Sequence, residues 1–162
     1  MESAGSDGEG PSGAHTMGVA VSLNGGDSSI AEARHLAVDF LTRAQADQNV
    51  TVSARAMELT QLVVSELVTN ARKYAPGPML MELCIEDATV AVTVHDSART
   101  QPVARAEDPH RIGGHGLEIV MAVAQRFHVH LEPAGKRVTA HISLAGEPAA
   151  DAARSGSPRS TR

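Results

Sequence analysis

The sequence predicts an α+β domain: a two-layer sandwich with about three helices on one face of a mixed, mostly antiparallel sheet of about five strands. Three observations lead there. Thr89-Val90-Ala91-Val92-Thr93-Val94 alternates with a period of two, as a half-buried strand does. Residues 79–86 precede it across the short Glu86-Asp87-Ala88 turn, and 128–132 and 138–144 repeat that arrangement around Pro133-Ala134-Gly135, so two hairpins are expected. Long helix-patterned segments stand between the strands, and hairpins with helices on one side make two layers.

Taken in order, 1–17 is rich in Gly and Ser, with almost no large apolar residue, and is expected to be a disordered tail. Residues 18–23 alternate and read as a first strand. Ser28 or Ser29 can cap a helix over 30–43. A second helix is expected over 53–74, stopped by Pro76-Gly77-Pro78. The first hairpin follows, over 79–86 and 89–95. Residues 97–112 are polar, contain Pro and Arg, lack periodicity and are expected to form a lid. A third helix ends near Arg126 and leads into the last hairpin. Residues 146–162, rich in Ala, Ser, Pro and Arg, form a second expected tail, which leaves one domain over 18–145. The inward set is expected to be Met81, Leu83, Ile85, Val90, Val92, Val94, Val129, Leu131, Val138, Ala140 and Ile142.

Composition narrows the function classes. The net charge of −5 argues against binding nucleic acid through phosphate contacts. With no Trp, two Phe and one Tyr, the core must come from aliphatic residues and Met. A single cysteine, Cys84, excludes an internal disulfide and fits a reducing cytoplasm. No signal pattern opens the chain and no apolar run approaches about 18 residues, so a soluble, cytoplasmic protein without membrane contact is expected.

Three short pieces carry chemistry. Glu66 and Asn70, four residues apart, stack on one helical face with Lys73. Toward the N-terminus that stripe runs into Leu59, Leu62 and Val63, which puts the two polar groups at the edge of the core. Asn70 can offer a carbonyl oxygen to Mg²⁺, and Glu66 can polarise a hydroxyl or water beside it. A surface Glu and Asn on an ordinary amphipathic helix is the alternative. Asp96 shares the parity of Val90, Val92 and Val94, so its acid aims at the core where the strand ends and needs a donor, such as a purine amino group. A turn or cap aspartate reads equally well. Gly113-Gly114-His115-Gly116 precedes a helix over Leu117 to Ala124; glycines allow close backbone approach and a helix start attracts phosphate, though a flexible loop with a glycine-rich exit reads equally well. No strand feeds into these glycines and no Gly-Lys-Ser/Thr follows, so this is neither a dinucleotide fingerprint nor a P-loop.

The order and spacing of these pieces resemble the Bergerat-fold (histidine-kinase-like) ATPases, and among them the small anti-sigma-factor serine/threonine kinases of the actinomycete type. Glu66-Leu67-Val68-Thr69-Asn70-Ala71 matches that group's N-box, Asp96 with Pro102 its next motif, and Gly114-His115-Gly116-Leu117 its last. The resemblance implies ATP and Mg²⁺ as cofactors. It implies Asn70 as the metal ligand, Glu66 as general base and Asp96 as the acceptor for the adenine amino group. Gly114, His115, Gly116 and Leu117 would lie along the phosphates, with Lys73 near them and Ala98 where relatives often carry Gly or Ser. Tyr74 replaces a usual His. Arg137 stands where relatives often have a Thr that supports adenine, which weighs against tight adenine binding.

Two functions follow. The first is an anti-sigma-factor-type serine/threonine protein kinase that phosphorylates a small antagonist protein. The alternative is a catalytically weak ATP-binding switch that regulates a partner through nucleotide-dependent binding. The implied partners are the antagonist and, second to it, a sigma factor; a homodimer is compatible with either. His128, His130 and His141 share outward parity and offer a zinc set on paper, but ordinary exposed strand residues are the favoured reading.

Overall fold

The computed structural model describes residues 17–97 and 115–146. The elements are β1 (Met17–Leu23), α1 (Ser29–Gln48), α2 (Ala54–Tyr74), β2 (Met79–Glu86), β3 (Thr89–Asp96), α3 (His115–Val123), β4 (Arg126–Glu132) and β5 (Gly135–Ser143). Most of the expected tails and of the expected lid lie outside the described residues, and Met17, counted with the first tail, opens β1 instead.

The strands form one sheet in the order β1-β2-β3-β5-β4, and all four described pairings are antiparallel. Alternation decides which side of each strand is covered. Met79, Met81, Leu83 and Ile85 of β2 are buried, as are Val90, Val92 and Val94 of β3 and Val138, Ala140 and Ile142 of β5. All three helices pack on that side: α1 on β1 and β2, α2 on β3 and β5, α3 on β4 and β5. Of the expected inward set, Val129 is only half-buried and Leu131 is 49% exposed. Both have the inward parity, but they sit on the edge strand, where one neighbour is missing and helix cover is thinner.

Helix α2 is the central element. Ala56, Leu59, Thr60, Val63, Val64, Leu67, Val68 and Ala71 are buried on it, a three-and-four spacing that turns one broad apolar face to the sheet and to α1 and α3. Thr60 stays in this face by donating its hydroxyl to the Ala56 carbonyl at 2.7 Å. The helix starts at Ser53, whose extended backbone lets its Oγ accept from the Ala56 N–H at 2.9 Å.

Some ends differ from the sequence-based expectation. Helix α1 runs to Gln48, more than a turn beyond 43, and stops where Asn49 takes a left-handed conformation at φ 58°. Its expected serine cap does not form. Ser28 holds the cap position with no side-chain bond, while Ser29 is buried, accepting from the Gly25 N–H and donating to Asn24. Helix α3 ends at Val123, because Gln125 N–H already donates to the His141 carbonyl and Arg126 pairs with His141 in the sheet. Strand β5 begins at Gly135, three residues before the expected start, and this early start shapes the site.

Candidate functional site

Once α2 has committed its apolar face to the core, Glu66 and Asn70 lie half-buried on the remaining flank and Lys73 is exposed. Neither the Glu66 carboxylate nor the Asn70 amide has a hydrogen bond or ion pair to a described residue. The end of α2 beside them is tied down from below. Arg72 donates to the Gly25 carbonyl at 3.1 Å and pairs with Asp27 at 3.0 Å. Gly25 has a φ of +84°, and a Cβ there would run into the Gly77 carbonyl, so only glycine lets the two loops cross at this point.

The glycine turn meets Glu66. A Cβ added to Gly116 would collide with Glu66 Oε1 and lie 3.4 Å from its Cδ. The start of α3 therefore reaches the carboxylate because residue 116 has no side chain. Leu117, next in line, is buried in the core and anchors that contact. His115 opens the helix. Gly114 and Ala98, the other expected nucleotide-binding residues, lie outside the described residues.

Asp96 is buried at the inward end of β3, as its parity predicts, but its neighbour was not anticipated. Across the β3–β5 ladder, Asp96 pairs with Lys136. The Lys136 Nζ lies 3.3 Å from Asp96 Oδ2, with side-chain exposures of 0% and 1%. The ammonium makes no hydrogen bond among the described residues, so the contact is an ion pair without aligned donor geometry. Gly135 makes room for this arrangement, since a Cβ there would strike the Asp96 carbonyl and sit 2.9 Å from the Ser97 Cα. Starting the last strand at 138 hid Lys136; its period-two relation to Val138, Ala140 and Ile142 was the available signal.

Arg137 is corrected by the same register. It points to the opposite face, pairs with Glu132 at 3.6 Å and lies beside Thr139 on the uncovered side of the sheet. It does not face the acid at 96. A depression of about 400 Å³ at that end of the sheet is lined by Asp96, Ser97, Met79, His95, Glu132 and Gly135 among others.

The outer face of the sheet carries a further set of titratable groups. His95 Nε2 lies 3.0 Å from Glu82. His128 and His141 meet edge to face with ring centroids 5.8 Å apart. His141 is held below the usual imidazole range by burial, then by Arg126 and His128, against an opposing effect of Glu86. No group of three metal-binding side chains forms among the described residues. Burial, followed by Glu86 and Glu82, pushes the free Cys84 thiol up.

A family model for the histidine kinase-like ATPase domain matches residues 27–142. The chain belongs to the histidine kinase-like ATPase family. That span runs from the start of α1 to the end of β5, so it takes in Glu66, Asn70, Asp96 and Gly116 together. Among solved structures, the histidine kinase domain of the Erythrobacter litoralis EL346 blue-light activated histidine kinase is similar at 20% identity and a TM-score of 0.44. The match covers 67% of this chain and 61% of that one. No curated protein matches the chain. No helix among the described residues is long and apolar enough to cross a membrane.

Membership of this ATPase family supports ATP as the ligand, and the residues fit it. Mg²⁺ on a nucleotide typically takes one or two protein oxygens and fills its shell with water and phosphate. The uncommitted amide of Asn70, one helical turn from an uncommitted carboxylate, offers that kind of donor set. The side-chain-free start of α3 beside Glu66 offers backbone approach to phosphate.

Proposed function

We propose that this ATPase-family chain is a serine/threonine protein kinase of the anti-sigma-factor type, acting on a small antagonist protein. The observation that carries the reading is the contact between the Glu66 carboxylate and Gly116 at the start of α3. A candidate base and a candidate phosphate turn, fifty residues apart in sequence, are neighbours in space. Glu66 forms no ion pair with a described residue, so it is available to accept a proton.

In this reading Asn70 holds the magnesium ion, Asp96 receives the adenine amino group and the start of α3 lies along the phosphates. Mg²⁺, when bound, supplies charge neutralisation at the phosphate oxygens. Glu66 takes the proton of the incoming Ser or Thr hydroxyl. The hydroxyl oxygen bonds to the γ-phosphorus as the bond to the β–γ bridging oxygen breaks, and ADP leaves with that electron pair. Lys73, exposed one turn beyond Asn70, adds positive charge at the mouth. The antagonist, and a sigma factor second to it, are the partners this reading names.

Labelled ATP, Mg²⁺ and a cognate antagonist test it. Wild type transfers label to the antagonist. Glu66→Gln lowers the rate by about 10²-fold or more while binding ATP within a few-fold of wild type. No transfer by wild type, or equal transfer by Glu66→Gln, sinks the kinase. If Glu66→Gln still regulates the partner in an ATP-dependent way, the nucleotide switch replaces it.

A further inference from the structure

We infer that Lys136 is a second base-reading residue of the nucleotide site: Asp96 accepts from the exocyclic amino group of adenine, and the Lys136 ammonium donates to the ring nitrogen beside it. This rests on the ATP reading above and adds to it the group that selects the base.

The ammonium is wholly enclosed, with none of its side chain exposed to solvent. It carries three N–H donors, and none finds a hydrogen-bond acceptor among the described residues. Buried donors without acceptors are rare because each forfeits its hydration. Asp96 supplies charge at 3.3 Å but not an aligned bond. Its neighbours in the sheet are apolar: Val94 and Val138 flank the pair along β3 and β5, and Leu131 stands opposite on β4. A ligand acceptor beside the carboxylate would satisfy it.

Adenine presents an amino donor and a ring-nitrogen acceptor at neighbouring positions of one edge. A carboxylate and an ammonium side by side are the complementary acceptor and donor. Both groups are shielded from water, where a matched pair of bonds discriminates most strongly between bases.

The test uses the intact chain and no substitution at the pair. ATP, 1-deaza-ATP (the neighbouring ring nitrogen replaced by C–H) and 7-deaza-ATP are titrated calorimetrically with Mg²⁺. The 1-deaza compound is expected to bind about tenfold weaker than ATP or worse, and the 7-deaza compound within about threefold. Lys73 and Lys136 are the chain's two lysines, and Lys73 is exposed. In spectra of protein labelled with ¹⁵N at lysine, the buried ammonium is therefore identifiable. Its signal should shift with ATP and stay in place with saturating 1-deaza-ATP. Binding of 1-deaza-ATP within about twofold of ATP, or equal shifts with both, overturns the role of Lys136 while leaving ATP binding intact. Absence of binding by ATP itself removes the nucleotide reading, and this inference with it.

Discussion

Lys136 and Asp96 place two opposite charges in a nearly water-free part of the sheet, 3.3 Å apart. Such a pair adds little over a well-packed apolar pair, but breaking it leaves one charge stranded. Lys136→Met should therefore destabilise the fold by about 3–5 kcal/mol in denaturant unfolding. Adding Asp96→Asn should recover much of that loss, because the stranded carboxylate is gone. Recovery of none of it would mean that the lysine stem, not its charge, holds the site. At this scale the sequence was informative where a residue acts through its own parity. The positions of Asp96 and Glu66 follow from the strand and helix periods. Lys136 was missed because a lysine in a strand reads as solvated until its opposite number is known. Arg137 was misjudged for the same reason: one step along a strand changes the face.

Two serines of similar sequence context show what governs an element's ends. Ser53 caps α2 with its own hydroxyl, whereas Ser28 occupies the cap position of α1 and makes no such bond. Ser53→Ala should cost about 1 kcal/mol, read as a lowered melting temperature. Ser28→Ala should change stability by less than about 0.5 kcal/mol. Equal losses from the two would contradict the observed caps. The existence, type and order of all eight elements were legible, because each has a clear period and most are bounded by Pro, Gly or a short turn. Their ends were less so. Whether a serine caps, where α3 stops and where β5 starts depend on bonds to distant partners, such as Ser29 to Asn24 or Gln125 to His141.

Across the molecule, one sheet face carries the helices and the candidate site, and the other carries a mixed charged and imidazole surface. His141 sits in that surface with its Nδ1 buried and without a hydrogen bond among the described residues. Burial, Arg126 and His128 hold its folded-state pKa below the ordinary value of 6.5. The unfolded chain therefore takes up this proton at a higher pH than the folded chain does. The His141 contribution to stability is intact above about pH 6.5 and declines as the pH falls below it, until the folded form is protonated too. Melting curves between about pH 7.5 and pH 5 should show this decline, and His141→Gln should flatten it. An unchanged pH dependence in that variant would assign the decline to other groups.

By itself, the sequence determined that this chain is a two-layer α+β domain, and it singled out Glu66, Asn70, Asp96 and the glycine turn as candidate chemical pieces. Local periodicity and short motifs carry that information within a few residues of each position. Tertiary structure alone decided which pieces touch: Gly116 against Glu66, and Lys136 against Asp96. Both contacts join segments about forty to fifty residues apart, and each depends on strand register or helix packing, which no local pattern encodes.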